Sequence, residues 1–369
     1  MEKSGTQTPL SLAAVEAVRT YAATARSALG SAESPVISYA GLWLLLASLA
    51  PAAETETDEI LGLNKADARA AALKLLEAPH PTIGAAVAGW LRAGVELTKG
   101  LPIVLDPLPD QAGLDGWAKE QTRGLIKQFP LEIDARTLLV LASALVVTPR
   151  WSEQLEEGDD DGLLLLETGF QAVVETEAAG SVAVACPPSE DGISVYSVIA
   201  DEGVSAADVW RGVDEVVRRI DAGEVRDRTF DASDADREDG HAWTVQEVTA
   251  FGSAPSDRWR SHLPEWNAED LHDLSAAPGV AEIARGVMTA VEEESDAVCV
   301  QKAVASYDRE GFKAAAVTGM MVRAATAAPR ETKVRQIDLR FDRPHAVVAV
   351  ARGGAWEGIP LFSSWVTPA

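Results

Sequence analysis

The sequence predicts an α+β protein, and three observations carry that prediction. Helical periodicity occupies the first third of the chain and strand-like runs fill most of the rest, without the βαβ rhythm of a doubly wound sheet. Hydrophobic residues make up 47% of the 369 positions but aromatics only 6%, so the core of this soluble globular chain is built from Ala, Val and Leu. Both cysteines, Cys186 in VAVACPP and Cys299 in SDAVCVQ, stand in apolar surroundings and read as buried free thiols rather than as a disulfide. The length leaves the number of domains open.

Residues 9–30 read as a helix with Leu12, Val15, Val18 and Ala22 on one face. Ser34-Pro35 looks like an N-cap followed by a proline in the first turn, opening an almost wholly apolar helix from Val36 to Leu49 that must be buried. TETDEILGL starts a third helix, with Thr57 as cap and acids in its first turn. Residues 114–130 form an amphipathic helix closed by Pro130. The continuous apolar run 137–147 suits a strand buried on both faces. GDDDG (158–162) is a turn, SVAVACPP (181–188) a strand ended by prolines, and 205–220 a helix capped by Ser205. HAWTVQEVTAF, RWRSHLPEW and the segment from RFDRPHAVVAV to the end read as strands.

A net charge of -25 repels phosphate and weighs against nucleic-acid binding, while favouring solubility and basic partners. The N-terminus has no apolar core preceded by positive charge, so no signal peptide is expected. YAGLWLLLASLAPAA is too short to span a membrane, which leaves a cytoplasmic protein without membrane contact as the expectation. Enzyme motifs are missing: there is no GxGxxG, no Walker loop and no GxSxG. The five histidines (80, 241, 262, 272, 345) lack metal-ligand spacing, and His262 and His272 read as surface or core hydrogen bonders. EEGDDDG lacks the ligand series of a calcium loop. Neither a metal nor a cofactor is expected.

Six stretches, in order along residues 34–368, resemble the serpin family of suicide protease inhibitors. SPVISYAGLWLLLASLAPAAETETDEILGL is similar to a serpin helix that opens on Ser-Pro and runs into the next helix. LDGWAKEQTRGLI matches the family's Trp-x-x-x-x-Thr-x-Gly-x-Ile segment at Trp117, Thr122, Gly124 and Ile126. TLLVLASALVVTPRW resembles the central strand ending in the breach tryptophan, here Trp151, and SVAVACPPSEDG the strand running into Pro-x-Glu-x-Gly. REGFKAAAVTG looks like the hinge, and FDRPHAVVAV with LFSSWVTP like the final pair of strands. The wording of SHLPEWNAEDLHDL and EGFKAAAVT looks particularly like serpins of actinobacteria.

The resemblance implies one serpin domain over residues 1–369, with a large central mixed β-sheet, smaller sheets, surrounding helices and an exposed reactive-centre loop at about 310–335. The implied partner is a serine protease, trypsin-, elastase- or subtilisin-like, met by a monomer that needs no catalytic residue of its own. The hinge would be Arg309, Glu310, Gly311, Phe312, Lys313, Ala314, Ala315, Ala316, Val317 and Thr318. Its small side chains suit insertion into a sheet after cleavage; alternation puts Phe312, Ala314, Ala316 and Thr318 on one face and Lys313, Ala315, Val317 and Gly319 on the other. The family's alignment puts the bait bond near Ala325-Thr326, with Arg323-Ala324 and Arg330-Glu331 as further candidates because the stretch from Gly311 to Pro344 is longer than usual.

Four positions depart from the inhibitory pattern. Phe312 replaces a small first hinge residue, Arg309 stands where an acid normally forms a salt bridge, and Ser34, Ser143 and Gln301 replace the polar cluster under the opening strands. The chain also ends in ARGGAWEGIPLFSSWVTPA, with an extra aromatic turn in place of a tight hairpin. These departures keep a second expectation in view: a non-inhibitory serpin fold repurposed for binding or for a biosynthetic role on a peptide or small molecule.

Overall fold

The computed structural model describes residues 8–158, 162–231, 242–251, 257–291, 297–311 and 331–368. Helix α1 (Leu12–Leu29) starts where the Ser11 hydroxyl accepts from the Ala14 N–H, and it stops at Gly30, whose φ of 60 suits glycine. Helix α2 (Tyr39–Leu49) is apolar all round and buried, as expected, but it begins three residues later than Ser34-Pro35 predicts. Ile37 and Ser363 exchange two backbone hydrogen bonds of 2.9 Å, which hold residue 37 extended, so Ser38 becomes the cap by accepting from the Gly41 N–H. Helix α3 (Asp58–Leu61) is a single turn after Thr57, broken by Gly62 at φ 73, and α4 (Lys65–Glu77) restarts from the Asn64 cap.

Strands β1 (Ile83–Leu91) and β2 (Asp106–Pro107) precede α5 (Gln111–Gln121). That helix does not reach Pro130. Arg123 and Gly124 take left-handed backbone (φ 52 and 85), and the Thr122 hydroxyl donates to the Ala118 carbonyl while accepting from the Ile126 N–H. Strand β3 (Leu139–Val147) alternates instead of burying both faces: Val140 and Ala142 pack on Leu114 and Phe129, while half-buried Leu139, Leu141 and Leu145 turn toward the main core.

The later strands are β4 (Glu156–Glu157), β5 (Leu164–Leu166), β6 (Phe170–Thr176), β7 (Gly180–Cys186) and β8 (Ile193–Ile199). After α6 (Ala206–Asp221), capped by Ser205, come β9 (Phe230–Asp231), β10 (Trp243–Phe251), β11 (Asp257–Leu263) and β12 (Trp266–Asp273). The chain closes with α7 (Val280–Met288), β13 (Val300–Tyr307), β14 (Glu331–Arg340), β15 (His345–Ala351) and β16 (Pro360–Val366). Helices lead and strands follow, which is the α+β order read from the sequence.

These strands make four sheets. The six-stranded sheet β16-β15-β8-β7-β6-β9 buries one face under α6 through Val209, Val213 and Val216 and the other in the main core. A five-stranded sheet has the order β10-β14-β11-β5-β4. The two remaining sheets are β2-β1-β3 and β12-β13. Both rest on α2: Ser143 of β3 donates to the Gly41 carbonyl, and Gln301 of β13 bonds the backbone of Ser38. At the opposite end Trp151, just past β3, meets Tyr307 with ring centres 5.1 Å apart. The two strands therefore lie side by side and run the same way, yet no ladder joins them among the described residues.

Candidate functional site

The slot between β3 and β13 is the candidate site. It forms part of a cavity of about 1060 Å³ lined by Leu139, Leu141 and Leu145 of β3, Gln301 and Ala303 of β13, and residues of α2, α7 and the stretch after α5. Cys299 lines it too; burial, with a contribution from Asp273, pushes its thiol up to about 11, so it stays protonated and unreactive at neutral pH. Such a wall of aliphatic side chains, beside two strand edges that have no strand partner among the described residues, suits another strand better than a polar substrate.

One end of the slot is closed by polar contacts at the start of α2. The Gln301 side chain accepts from the Ser38 N–H at 2.8 Å and donates to the Ser38 carbonyl at 2.9 Å, and the Ser143 hydroxyl donates to the Gly41 carbonyl at 2.8 Å. The Ser38 hydroxyl itself donates to the Leu361 carbonyl. His272, paired with Gln301 across β12 and β13, sits 2.6 Å from the Val36 carbonyl. Ser143 and Gln301 thus meet at this end. Ser34 does not: it is four residues from Ser38 and engages Trp365 through its carbonyl. Sequence reading missed Ser38, Gly41 and His272 as members. The signal was the S-x-x-G spacing of Ser38 and Gly41, overshadowed by the Ser-Pro pair just before it.

The other end is organised by a tight reversal of the chain. The Asp308 carboxylate accepts from the N–H groups of Glu310 and Gly311, and the Asp308 N–H donates to the Gly311 carbonyl at 3.0 Å. This turn brings Gly311 back into an antiparallel bridge with Arg150, beyond the end of β3. Gly311 thereby stands between the ends of the two strands. A Cβ there would lie 2.6 Å from the Pro149 carbonyl oxygen and 3.0 Å from the Arg150 Cα, so only glycine fits.

Trp151 locks the reversal in place. Its indole N–H donates to the Asp308 carbonyl at 2.9 Å, its backbone N–H donates to the Glu310 carbonyl, and its ring meets Tyr307, which stacks in turn on Trp266. Full burial raises the Tyr307 hydroxyl well above its ordinary pKa, keeping it neutral. Arg309 forms an ion pair with Glu157 of β4 at 3.2 Å, and its backbone N–H donates to Glu265. The charge order is thus reversed here, with the cation on the turn and the acid on the neighbouring sheet.

Of the expected hinge, Arg309, Glu310 and Gly311 lie at this reversal; Phe312 to Thr318 and the bait candidates Arg323, Ala324, Ala325, Thr326 and Arg330 fall outside the described residues. Among the described residues no group of His, Cys, Asp and Glu could hold a metal ion, and no helix is long and apolar enough to cross a membrane.

No protein-family model and no curated protein matches the sequence. Solved structures do match the fold. A highly specific serpin from the insect Tenebrio molitor shares 14% identity over 96% of this chain and 98% of its own, with a TM-score of 0.61. The thermophilic serpin tengpin in its native state shares 15% over 100% and 98%, at 0.63. Thyroxine-binding globulin, in complex with thyroxine, shares 13% over 97% and 99%, at 0.60. Likeness over nearly the full length of each chain establishes the architecture: this chain has the serpin fold.

Proposed function

We propose that the protein is a suicide inhibitor of a serine protease, acting as a monomer. The observation that carries this reading is Gly311 seated between the ends of β3 and β13, above a slot whose facing strand edges are joined by no ladder among the described residues. The protease serine attacks the bait carbonyl and forms an ester with it. The peptide bond breaks, and the leaving amine takes up a proton and departs at the head of the segment leading to β14. The freed chain after Gly311 then enters the slot as a strand antiparallel to both neighbours, carrying the acylated protease away from the loop. Each rung formed satisfies backbone groups on β3 and β13, and this drives the step.

Among the bait candidates, Ala325-Thr326 suits an elastase- or subtilisin-like protease and Arg323-Ala324 a trypsin-like one. Arg330-Glu331 is the poorest, because Glu331 is already the first rung of β14, paired with Phe251. A second reading, a serpin fold repurposed for a peptide or small molecule, is favoured by one observation: Phe312 would be the first residue into the slot. A large side chain forced into a packed site costs about 1–3 kcal/mol. That thyroxine-binding globulin was solved with thyroxine shows a chain of this fold holding a small molecule.

Incubation with trypsin, elastase and subtilisin separates the readings. A complex surviving denaturant, with a sharp rise in melting temperature of the cleaved form, is the expected outcome. Clean cleavage with neither complex nor stabilisation overturns inhibition and leaves the binding reading.

A further inference from the structure

Strand β14 is gripped from both sides. Its residues pair with β11 from Arg335 to Arg340, and β10 runs antiparallel along the other side in continuous register from Trp243↔Leu339 to Phe251↔Glu331. Among the described residues, the first rungs of β14, residues 331–334, pair with β10 and not with β11. Strand β10 is fixed at its base by Trp243, fully buried and edge-on to Phe230, which also meets Trp259 of β11. Further along, Glu247 of β10 forms an ion pair with Lys333 and sits opposite Arg335.

A buried hub stitches the three strands together. The Asp338 carboxylate of β14 accepts from Gln336 at 2.8 Å and Gln246 of β10 at 3.4 Å, and it lies 3.3 Å from His262 Nε2 and 3.6 Å from Arg260 Nε of β11. Burial opposes its charge, but the bonds from His262, Gln336 and Gln246 and the Arg260 charge outweigh it and keep the carboxyl below its ordinary pKa.

The length of chain between the slot and β14 gives this grip a purpose. Nineteen residues, 312–330, join Gly311 to Glu331 and span ~70 Å at full extension. Filling the slot from Arg150 down to its closed end at Ser143 takes ~23 Å at strand rise, and an uncleaved chain must then come back the same way, ~46 Å in all. It must also reach the far end of β14: Arg340 is paired with His262, close to the start of β12, and Glu331 is at the opposite end of the strand. The intact chain is too short, and the missing residues can come only from the first rungs of β14.

We propose that β10 is a clasp on β14 that denies the uncleaved chain those residues, so that complete insertion waits for cleavage. This rests on the insertion reading above. The strand spends its pairing on the segment that self-insertion would have to peel away, and the hub at Asp338 stops the peeling from spreading.

The test compares intact wild type with Gln246→Leu/Glu247→Lys, with Trp243→Ala, and with a charge-swapped partner, Gln246→Leu/Glu247→Lys/Lys333→Glu. Each is warmed below its melting transition. Conversion is read as uncleaved protein that resists subtilisin and melts higher than before. Loss of a cross-strand pair plus like-charge repulsion, up to ~1 kcal/mol each, predicts conversion about fivefold or more faster in the first variant, partly reversed by the swap. The first variant removes only exposed or half-buried contacts, so it remains informative if Trp243→Ala does not fold. Conversion no faster than wild type, while cleaved wild type still gains stability, overturns the clasp and leaves insertion standing. No gain of stability on cleaving wild type overturns insertion itself, and the clasp falls with it.

Discussion

Gly311 and Arg150 form an antiparallel bridge in which the glycine backbone leaves no room for a side chain, since a Cβ would stand 3.0 Å from the Arg150 Cα. The chain at residue 311 has thus already turned toward the slot in the uncleaved protein. Asp308 and Trp151 hold that posture through three side-chain hydrogen bonds at the turn.

Gly311→Val should therefore disable the trap while sparing the fold. The new side chain meets backbone at Pro149 and Arg150, which cannot swing away, so the bridge opens at a cost of about 1–3 kcal/mol. The checks are the fraction of protease trapped per molecule cleaved, expected to fall severalfold, and the melting temperature of the cleaved form, expected to drop. Gly311→Pro should act in the same direction. Trapping equal to wild type in both would remove Gly311 from the mechanism.

Trp151→Phe keeps a ring near Tyr307 but deletes the hydrogen bond to the Asp308 carbonyl. The expected loss is about 1 kcal/mol, read by urea unfolding of the intact protein. Trp151→Ala also removes the ring from a buried site and should cost ~3–5 kcal/mol. Should the Phe variant unfold like wild type, the indole bond carries no weight in closing the turn.

Phe312→Thr should act oppositely to Gly311→Val. A small residue in first place removes the overpacking of about 1–3 kcal/mol attributed to phenylalanine and should raise the share of protease trapped rather than released. Rapid-mixing measurements of complex formation against turnover decide this. An unchanged ratio would mean that the slot already accommodates a phenyl ring at its mouth.

Stability should fall on mild acidification because of His345. It is fully buried in β15, its Nδ1 lies 2.9 Å from the Arg343 carbonyl, and Phe341 stands edge-on to it. Burial lowers its pKa from 6.5 to about 4, against a smaller opposing contribution from that carbonyl and from Asp342. The folded state therefore binds its proton less readily than the unfolded chain. The stabilisation is complete above 6.5, declines as pH falls toward 4, and amounts to about 3 kcal/mol in all. Unfolding free energies across that range should show the slope in wild type and lose most of it in His345→Gln. An identical slope in both would assign the acid sensitivity to other groups.

Helix and strand identity was legible wherever one local signal stood alone: Ser205 as a cap, the alternation in β10, and the proline-stopped strand β7. It failed where two signals competed. Ser34-Pro35 reads as a helix start, but Ile37 is claimed by a strand partner, Ser363, more than three hundred residues away. Pro130 reads as a helix end, but Arg123 and Gly124 had already reversed the backbone. At the site, Trp151, Gln301 and Ser143 could be found by type and order. The carboxylate turn at Asp308 could not, because its meaning depends on Arg150, far away in sequence. The reach of β10 along β14 was equally hidden, since pattern alone says that a segment is a strand and not which neighbour it takes.

The slot also bears on how the molecule assembles. Strands β1 and β3 are separated only by β2 and α5, and β12 and β13 only by α7, so each half of the divided sheet pairs residues near in sequence. Joining β3 to β13 would instead close a chain segment that contains most of the other two sheets. Short-range pairings form early and long-range ones late, so both halves are finished before they can search for each other. By then the reversal at Asp308 and the contacts on α2 have fixed their spacing. The divided sheet is thus the arrangement that the order of assembly reaches first, and the strand insertion proposed above would need only a barrier between the two arrangements, not a lower energy for the first.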